Sequence, residues 1–260
     1  MSFKAINPDA LTKFNSAISS EFIKMYEGFV LSDIQTDRMK PSSKSFAPSS
    51  IRCMRKSWFR LRGKEPDKLK SVDATLEFKA KLGTAIHENI QSTLSSNLGD
   101  NYVDVKCYVD SICNECNWLK NAKFDRYGFE TRVELSEIPI RFSVDGILKL
   151  HNELYLLEIK TLDFGDFNSL TDIKQSHIDQ VKTYLTLLNL KNAIVMYVDR
   201  QYGSVKCYSY SIKQYERDEI FKNIYYVLDC VKSNIAPDRL DYSDYMCTNC
   251  PYKKSCKEWG

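Results

Sequence analysis

The sequence predicts an α/β protein, a mixed central sheet flanked by helices, with its N- and C-terminal segments joined to each other. Three observations predict it. Apolar residues recur at helical intervals up to about residue 130 and alternate in strand fashion after it. Downstream, the order α-β-β-β-α-β requires helices packed on a sheet. Finally, Cys53 stands alone near the start, while Cys247, Cys250 and Cys256 close the chain in the run CTNCPYKKSCKEW.

With 260 residues the chain can form one large or two small domains around a substantial core. Its 43% apolar and 27% charged residues are ordinary for a soluble protein. The start, MSFKAINPDALTKF, lacks the build of a secretory signal, and no apolar run is long enough to span a bilayer. A cytoplasmic protein of a bacterial, archaeal or virus-infected cell, without a membrane partner, is expected. A net charge of +3 says little about nucleic acid, so local charge must decide.

Leu11, Phe14, Ile18, Phe22 and Met25 predict a packed helix over 8–26, followed by a loop through QTDRMKPSSKSFAPSS. Pro48 and Ser49 open the next helix, which runs to about Arg62 with Gly63 as its C-terminal cap. Leu82, Ile86, Ile90, Leu94 and Leu98 predict a buried helical stripe, with His87 on the face it shares with Gly83. TRVEL, IRFSVDGILKL and ELYLLEIKT read as three strands, with turns at Pro139 and His151–Asn152. A helix at roughly 171–190 faces Ile178, Val181, Leu185 and Leu188 to a core. AIVMYVD and SVKCYSYSI flank a hairpin turn at Gln201–Tyr202–Gly203, and a last helix covers about 215–231. The expected domains are a helical extension and linker, 1–48, and a main domain, 49–260. No Walker phosphate loop occurs, so the chain carries no ATP motor.

The tail spacing C-x2-C-x5-C places three thiols within reach of one metal centre, and tetrahedral thiolate coordination asks for a fourth ligand. Cys53 is the candidate. Spacing alone does not separate zinc from iron–sulfur. Cys107, Cys113 and Cys116 repeat the spacing in reverse, without a fourth ligand nearby, and read as free thiols; Cys207 and Cys230 read as core. Around Cys53, SSIRCMRKSWFRLRG holds basic residues and no acid. Arg52, Arg55, Lys56 and Arg60, with Trp58 and Phe59 interleaved, suit a single-strand DNA interface of cations and stacking rings. For Trp58 and Phe59 taken singly, a core position is the simpler reading.

In ELYLLEIKT the faces alternate, so Glu158 and Lys160 share one side of the strand and Ile159 packs on the other. Acid-x-Lys recurs at Glu77, Asp104 and Asp172 and carries little information alone. Glu158 differs because its strand is otherwise apolar, and an acid in such a setting needs a partner or a function. If the preceding strand pairs antiparallel with it, Asp145 and Glu158 converge on one hard divalent cation, beside which Lys160 orients a water.

Asp145 followed by Glu158–Ile159–Lys160 resembles the core of the PD-(D/E)XK (restriction-endonuclease-like) nucleases, with Val144 where the family name has proline. GTAIHENI, with His87, resembles the helix of RecB-like members, and QVKTYLTLL resembles their Q-x3-Y motif at Gln180 and Tyr184. One cysteine before this core and C-x2-C-x5-C after it is similar to the iron–sulfur members: CRISPR-associated RecB-like exonucleases, the AddB nuclease domain and eukaryotic exonuclease V. The resemblance implies metal-dependent DNA cleavage, commonly from single-stranded ends, around a structural 4Fe–4S cluster on Cys53, Cys247, Cys250 and Cys256, within segments 49–63 and 237–260. It implies Mg2+ or Mn2+ held by Asp145, Glu158 and the Ile159 carbonyl, with His87 as ligand or ligand-positioner. Lys160 would then align the nucleophile, organised by Gln180 and Tyr184. The expected setting is recombination, repair, replication or CRISPR adaptation, beside a helicase or recombination and adaptation proteins; oligomeric state is left open. Rival readings are a structure-specific endonuclease, a catalytically silent DNA-binding scaffold subunit, and a zinc-bearing nucleic-acid module.

Overall fold

The computed structural model describes residues 20–29, 44–67 and 74–259. Contacts divide the chain into two units, Met1–Pro41 with Lys70–Lys81, and Ser42–Leu69 with Leu82–Gly260. The division falls after Pro41, where the sequence reading placed it after residue 48. In the first unit, residues 20–29 are helical and Phe22 and Met25 are exposed. Leu11, Phe14 and Ile18 of the expected helix lie outside the described residues.

The second unit holds two sheets. A five-stranded sheet has the order β1-β5-β6-β7-β8, formed by Tyr102–Val103, Gly146–Leu150, Glu153–Leu162, Asn192–Asp199 and Val205–Ser211. A three-stranded sheet is made of β2 (Lys123–Tyr127), β3 (Glu130–Leu135) and β4 (Ile140–Val144). In the larger sheet β6 and β7 run parallel and the other pairs antiparallel, which makes it mixed, as expected.

The segment IRFSVDGILKL is two strands, not one. Through Val144 it pairs with β3, and from Gly146 it pairs with β6. Asp145 is the single residue at which the chain changes sheets. The alternation of Ile140, Phe142 and Val144 gives way after Asp145 to the contiguous Gly146, Ile147 and Leu148, all buried. Asp125 and Arg126 interrupt the apolar pattern in β2, which the sequence reading also missed, along with the two-residue β1.

Helices cover both faces. On one, Leu156, Ala193, Val195 and Tyr197 join the main core with α4 (Phe164–Asn168), α5 (Gln175–Leu187) and α6 (Gln214–Ser233), where Phe167, Val181, Leu185, Ile224 and Val227 are buried. On the other, Leu157, Ile159 and Val198 meet Ile86, Ile90 and Leu94 of α2 (Ala74–Leu98). That stripe is half-buried rather than buried, and Leu82 at its start is 36% exposed. Adjacent residues of β6 therefore face different layers, with Glu158 and Lys160 on the α5 side.

Near the start of this unit, Phe46 bridges to Ile140, and a 3-10 turn at Pro48–Ser50 precedes α1 (Met54–Leu61). The helix thus begins after Cys53, which is its N-cap, and not at Pro48. Its end is as expected. Gly63 has φ +67°, and the amides of Gly63 and Lys64 close on the carbonyls of Arg60 and Phe59, a Schellman pattern. The hairpin turn at His151–Asn152 has both residues at positive φ, the type I′ geometry.

Candidate active site and thiol centre

Asp145 is 7% exposed and saturated with contacts. Its Oδ2 accepts the Ile159 amide at 2.7 Å, and its Oδ1 lies 3.2 Å from His87 Nδ1. Its carbonyl oxygen accepts from Gln91 Nε2 at 2.8 Å and from the Tyr102 hydroxyl at 2.7 Å. Gln91, one helical turn beyond His87, is 1% exposed. Neither Gln91 nor Tyr102 was picked out from the sequence. The signal for Gln91 was an amide placed four residues after His87 on one helix face; Tyr102 left none. Gly146 matters for space: a Cβ there would stand 2.9 Å from the Tyr102 hydroxyl. Its backbone shows no positive φ, so a glycine here supplies space and not a special conformation.

The pairing Gly146↔Leu157 sets Asp145 opposite Glu158 where the two chains continue. Glu158 is 3% exposed, and Lys160 Nζ contacts its Oε1 at 2.6 Å. Burial pushes the Glu158 acid up to about 7; Lys160 opposes the shift and the Asp145 charge adds to it. Lys160 Nζ also donates to Gln180 Oε1 at 3.1 Å, and Gln180 Nε2 donates to the Tyr184 hydroxyl at 2.8 Å. Tyr184 stacks on Phe142, and burial raises its pKa well above the ordinary tyrosine value. For His87, burial disfavours the cation, but the hydrogen bond and charge of Asp145 prevail and its pKa is raised. His87, Asp145, Glu158, Lys160, Gln180 and Tyr184 thus form one connected set, drawn from α2, the sheet switch, β6 and α5.

Among the described residues, no three His, Cys, Asp or Glu side chains already close on a common metal position. The donor chemistry nevertheless fits a hard divalent cation. The Asp145 charge opposes ionisation of the buried Glu158, and a cation offsets that repulsion. A strand residue's N–H and C=O leave by the same edge. The Ile159 amide points to Asp145, so its carbonyl lies on that edge too, beyond the last β5 pair.

Cys53, Cys247, Cys250 and Cys256 line one pocket, which Lys56, Arg239 and Lys253 also line. Burial raises the Cys53 thiol to about 11, and all three C-terminal cysteines add to the shift. The chemistry of four thiols in one pocket fits a soft metal centre. Asp67 fixes the last turn by accepting from Ser255 N at 2.9 Å and from the Ser255 hydroxyl.

The basic segment is used differently from the sequence reading. Arg55 is 6% exposed, with Nε donating to the Pro237 carbonyl at 2.7 Å and Nη1 reaching the Cys256 and Trp259 carbonyls at 3.4 and 3.5 Å. It fastens the C-terminal segment and is not presented to DNA. Arg52 precedes the helix, so it does not continue the Lys56–Arg60 face, and it pairs with Asp244 at 2.7 Å. Arg60 donates to the Ser45 carbonyl and Lys56 lines the thiol pocket. Trp58 and Phe59 are core at 1% exposure each. Cys230 is core, but Cys207 is exposed on the outermost strand β8, contrary to expectation. Cys116 is buried, while Cys107 is exposed on α3 (Val105–Ile112).

No protein-family model and no curated protein matches the chain. Among solved structures it is similar to SSO0001, at 16% identity over 92% of this chain and 99% of that one, with a TM-score of 0.48. It is also similar to the alkaline exonuclease LHK-Exo from Laribacter hongkongensis, at 12% identity over 74% of this chain and 90% of that one, TM-score 0.38, and to the same protein in complex with dAMP. At these TM-scores no residue role is carried from those proteins to this one.

Proposed function

We propose that this chain is a metal-dependent deoxyribonuclease of the PD-(D/E)XK type, with RecB-like iron–sulfur organisation, that hydrolyses phosphodiester bonds from single-stranded DNA ends. The observation behind it is the sheet switch at Asp145, which sets that carboxylate across from Glu158, with Lys160 on the same strand face and bonded to Glu158.

Asp145, Glu158 and the Ile159 carbonyl would hold Mg2+ or Mn2+. Bound there, such an ion lowers the pKa of a water and offsets charge on the phosphate. His87 fixes the rotamer of Asp145 through Nδ1, and Gln91 and Tyr102 fix its backbone. Lys160, held between Glu158 and Gln180, aligns the attacking water and faces the developing phosphate charge. Tyr184, kept protonated by burial, holds the Gln180 amide rather than moving a proton. Cys53, Cys247, Cys250 and Cys256 would hold a 4Fe–4S cluster, whose closure of so long a loop adds directly to folding stability.

Anaerobically purified protein, assayed for iron and sulfide and given end-labelled single strands with Mg2+ or Mn2+, tests this reading. Brown protein that degrades linear strands and spares circles is expected. Cleavage of circles indicates an endonuclease, and DNA binding without cleavage a scaffold subunit. Colourless zinc-loaded protein replaces the cluster and leaves the active-site assignment standing.

A further inference from the structure

Asp179, on α5, is where the thiol-bearing segments meet the helix that carries Gln180. Its Oδ2 accepts from the Tyr245 hydroxyl at 2.6 Å and lies 3.9 Å from Arg52 Nη1. Arg52 Nη2 binds Asp244 Oδ2 at 2.7 Å, and the guanidinium sits 5.3 Å from the centre of the Tyr245 ring. Arg52 immediately precedes Cys53, and Asp244 and Tyr245 shortly precede Cys247. Both cysteine segments are therefore fastened to one carboxylate. The other oxygen, Oδ1, accepts from Gln175 Nε2 at 2.9 Å, so the carboxylate is held from its own helix too. The Asp179 and Asp244 carboxylates are only 11% and 13% exposed, which screens them less than surface ion pairs.

The next residue on α5 is Gln180, which accepts from Lys160 Nζ at 3.1 Å and donates to Tyr184 at 2.8 Å. A shift of this helical turn moves the Lys160 acceptor with it, because adjacent residues of a helix share one rigid hydrogen-bonded backbone. We infer that Asp179 is a positioning residue that ties the two thiol-bearing segments to Lys160, so that order at the thiol centre sets order at the lysine. The inference rests on the nuclease reading only for the catalytic role of Lys160. The tether itself is independent of that role.

The test uses the full chain with its metal content measured, comparing wild type with Tyr245→Phe and Asp179→Asn. Tyr245 is 42% exposed and Asp179→Asn is nearly isosteric, so both variants keep the fold. Trace acetylation with acetic anhydride, read at Lys160 by mass spectrometry, reports how firmly the amine is held. Both variants should bind as much metal as wild type and label Lys160 roughly threefold to tenfold faster, the factor that the net loss of one ordinary hydrogen bond supplies. In cleavage assays kcat per folded molecule should fall with KM unchanged, while the other lysines label at the wild-type rate, which general destabilisation would raise. Unchanged Lys160 labelling in both variants overturns the inference, whatever happens to cleavage. If wild type cleaves no nucleic acid, the nuclease reading fails while the labelling comparison still decides the tether.

Discussion

The Tyr102 hydroxyl donates to the Asp145 carbonyl at 2.7 Å, in the space that a side chain on Gly146 would occupy. Gly146→Ala must push Tyr102 away and leave the carbonyl with Gln91 as its donor, at a cost of about 1–3 kcal/mol. Tyr102→Phe removes the hydroxyl and its hydrogen bond, and leaves ring carbons at 3.0 and 3.2 Å from the added Cβ. Urea unfolding of the two single variants and the double should therefore give a double-variant loss smaller than the sum. Strictly additive losses would mean the two residues do not share this space.

Arg55 and Lys56 are adjacent and both cationic, yet Arg55 is buried and Lys56 lines the thiol pocket. Arg55→Ala leaves the Pro237 carbonyl without its buried donor and should destabilise the protein by about 2–3 kcal/mol, read as a lower unfolding midpoint. Lys56→Ala should leave that midpoint in place and reduce the salt slope of single-strand DNA binding by roughly 0.7. The reverse pattern would show that the two roles have been exchanged.

His177 gives the fold a pH dependence. Its Nδ1 lies 2.8 Å from the Tyr197 hydroxyl, and burial, with Lys160 and Lys174 nearby, lowers its pKa to about 4 from an ordinary 6.5. Above pH 6.5 the imidazole is neutral folded or unfolded. Between 6.5 and 4 only the unfolded chain takes up the proton, so stability falls with pH over that window. His177→Gln should flatten this part of the stability profile, measured by urea midpoints from pH 4 to 7; an equal slope in the variant would place the titration elsewhere.

The Glu158 acid, pushed up to about 7, must lose its proton before the site takes a divalent cation. Thermal stabilisation by Mn2+ should therefore be larger at pH 8 than at pH 6, and absent in Glu158→Gln. A melting shift by Mn2+ that ignores both pH and this substitution would put the cation at another site.

Legibility followed the range of the interactions. The Glu158–Lys160 face, the His151–Asn152 turn and the Gly63 cap are set within a few residues, and the sequence displays them. The change of sheet at Asp145 is not local: the alternation from Ile140 to Val144 lapses at Gly146–Ile147–Leu148, but only pairing with β3 and then β6 shows that the chain changes sheets. Tyr102 reaches Asp145 from 43 residues away, beyond any periodic pattern. Arg55 looked like its basic neighbours because charge along a line does not tell which face turns inward. Cys207 looked like core because an outermost strand and a central one share the same alternation.

The most direct measurement is the Mn2+-dependent cleavage rate of end-labelled single-stranded DNA by wild type and Glu158→Gln with equal metal content. A paired-carboxylate site predicts release of labelled products by wild type, none with EDTA, and a loss on the order of a thousandfold in the variant. Equal rates in the two proteins, or no cleavage by wild type with any divalent ion, would contradict it.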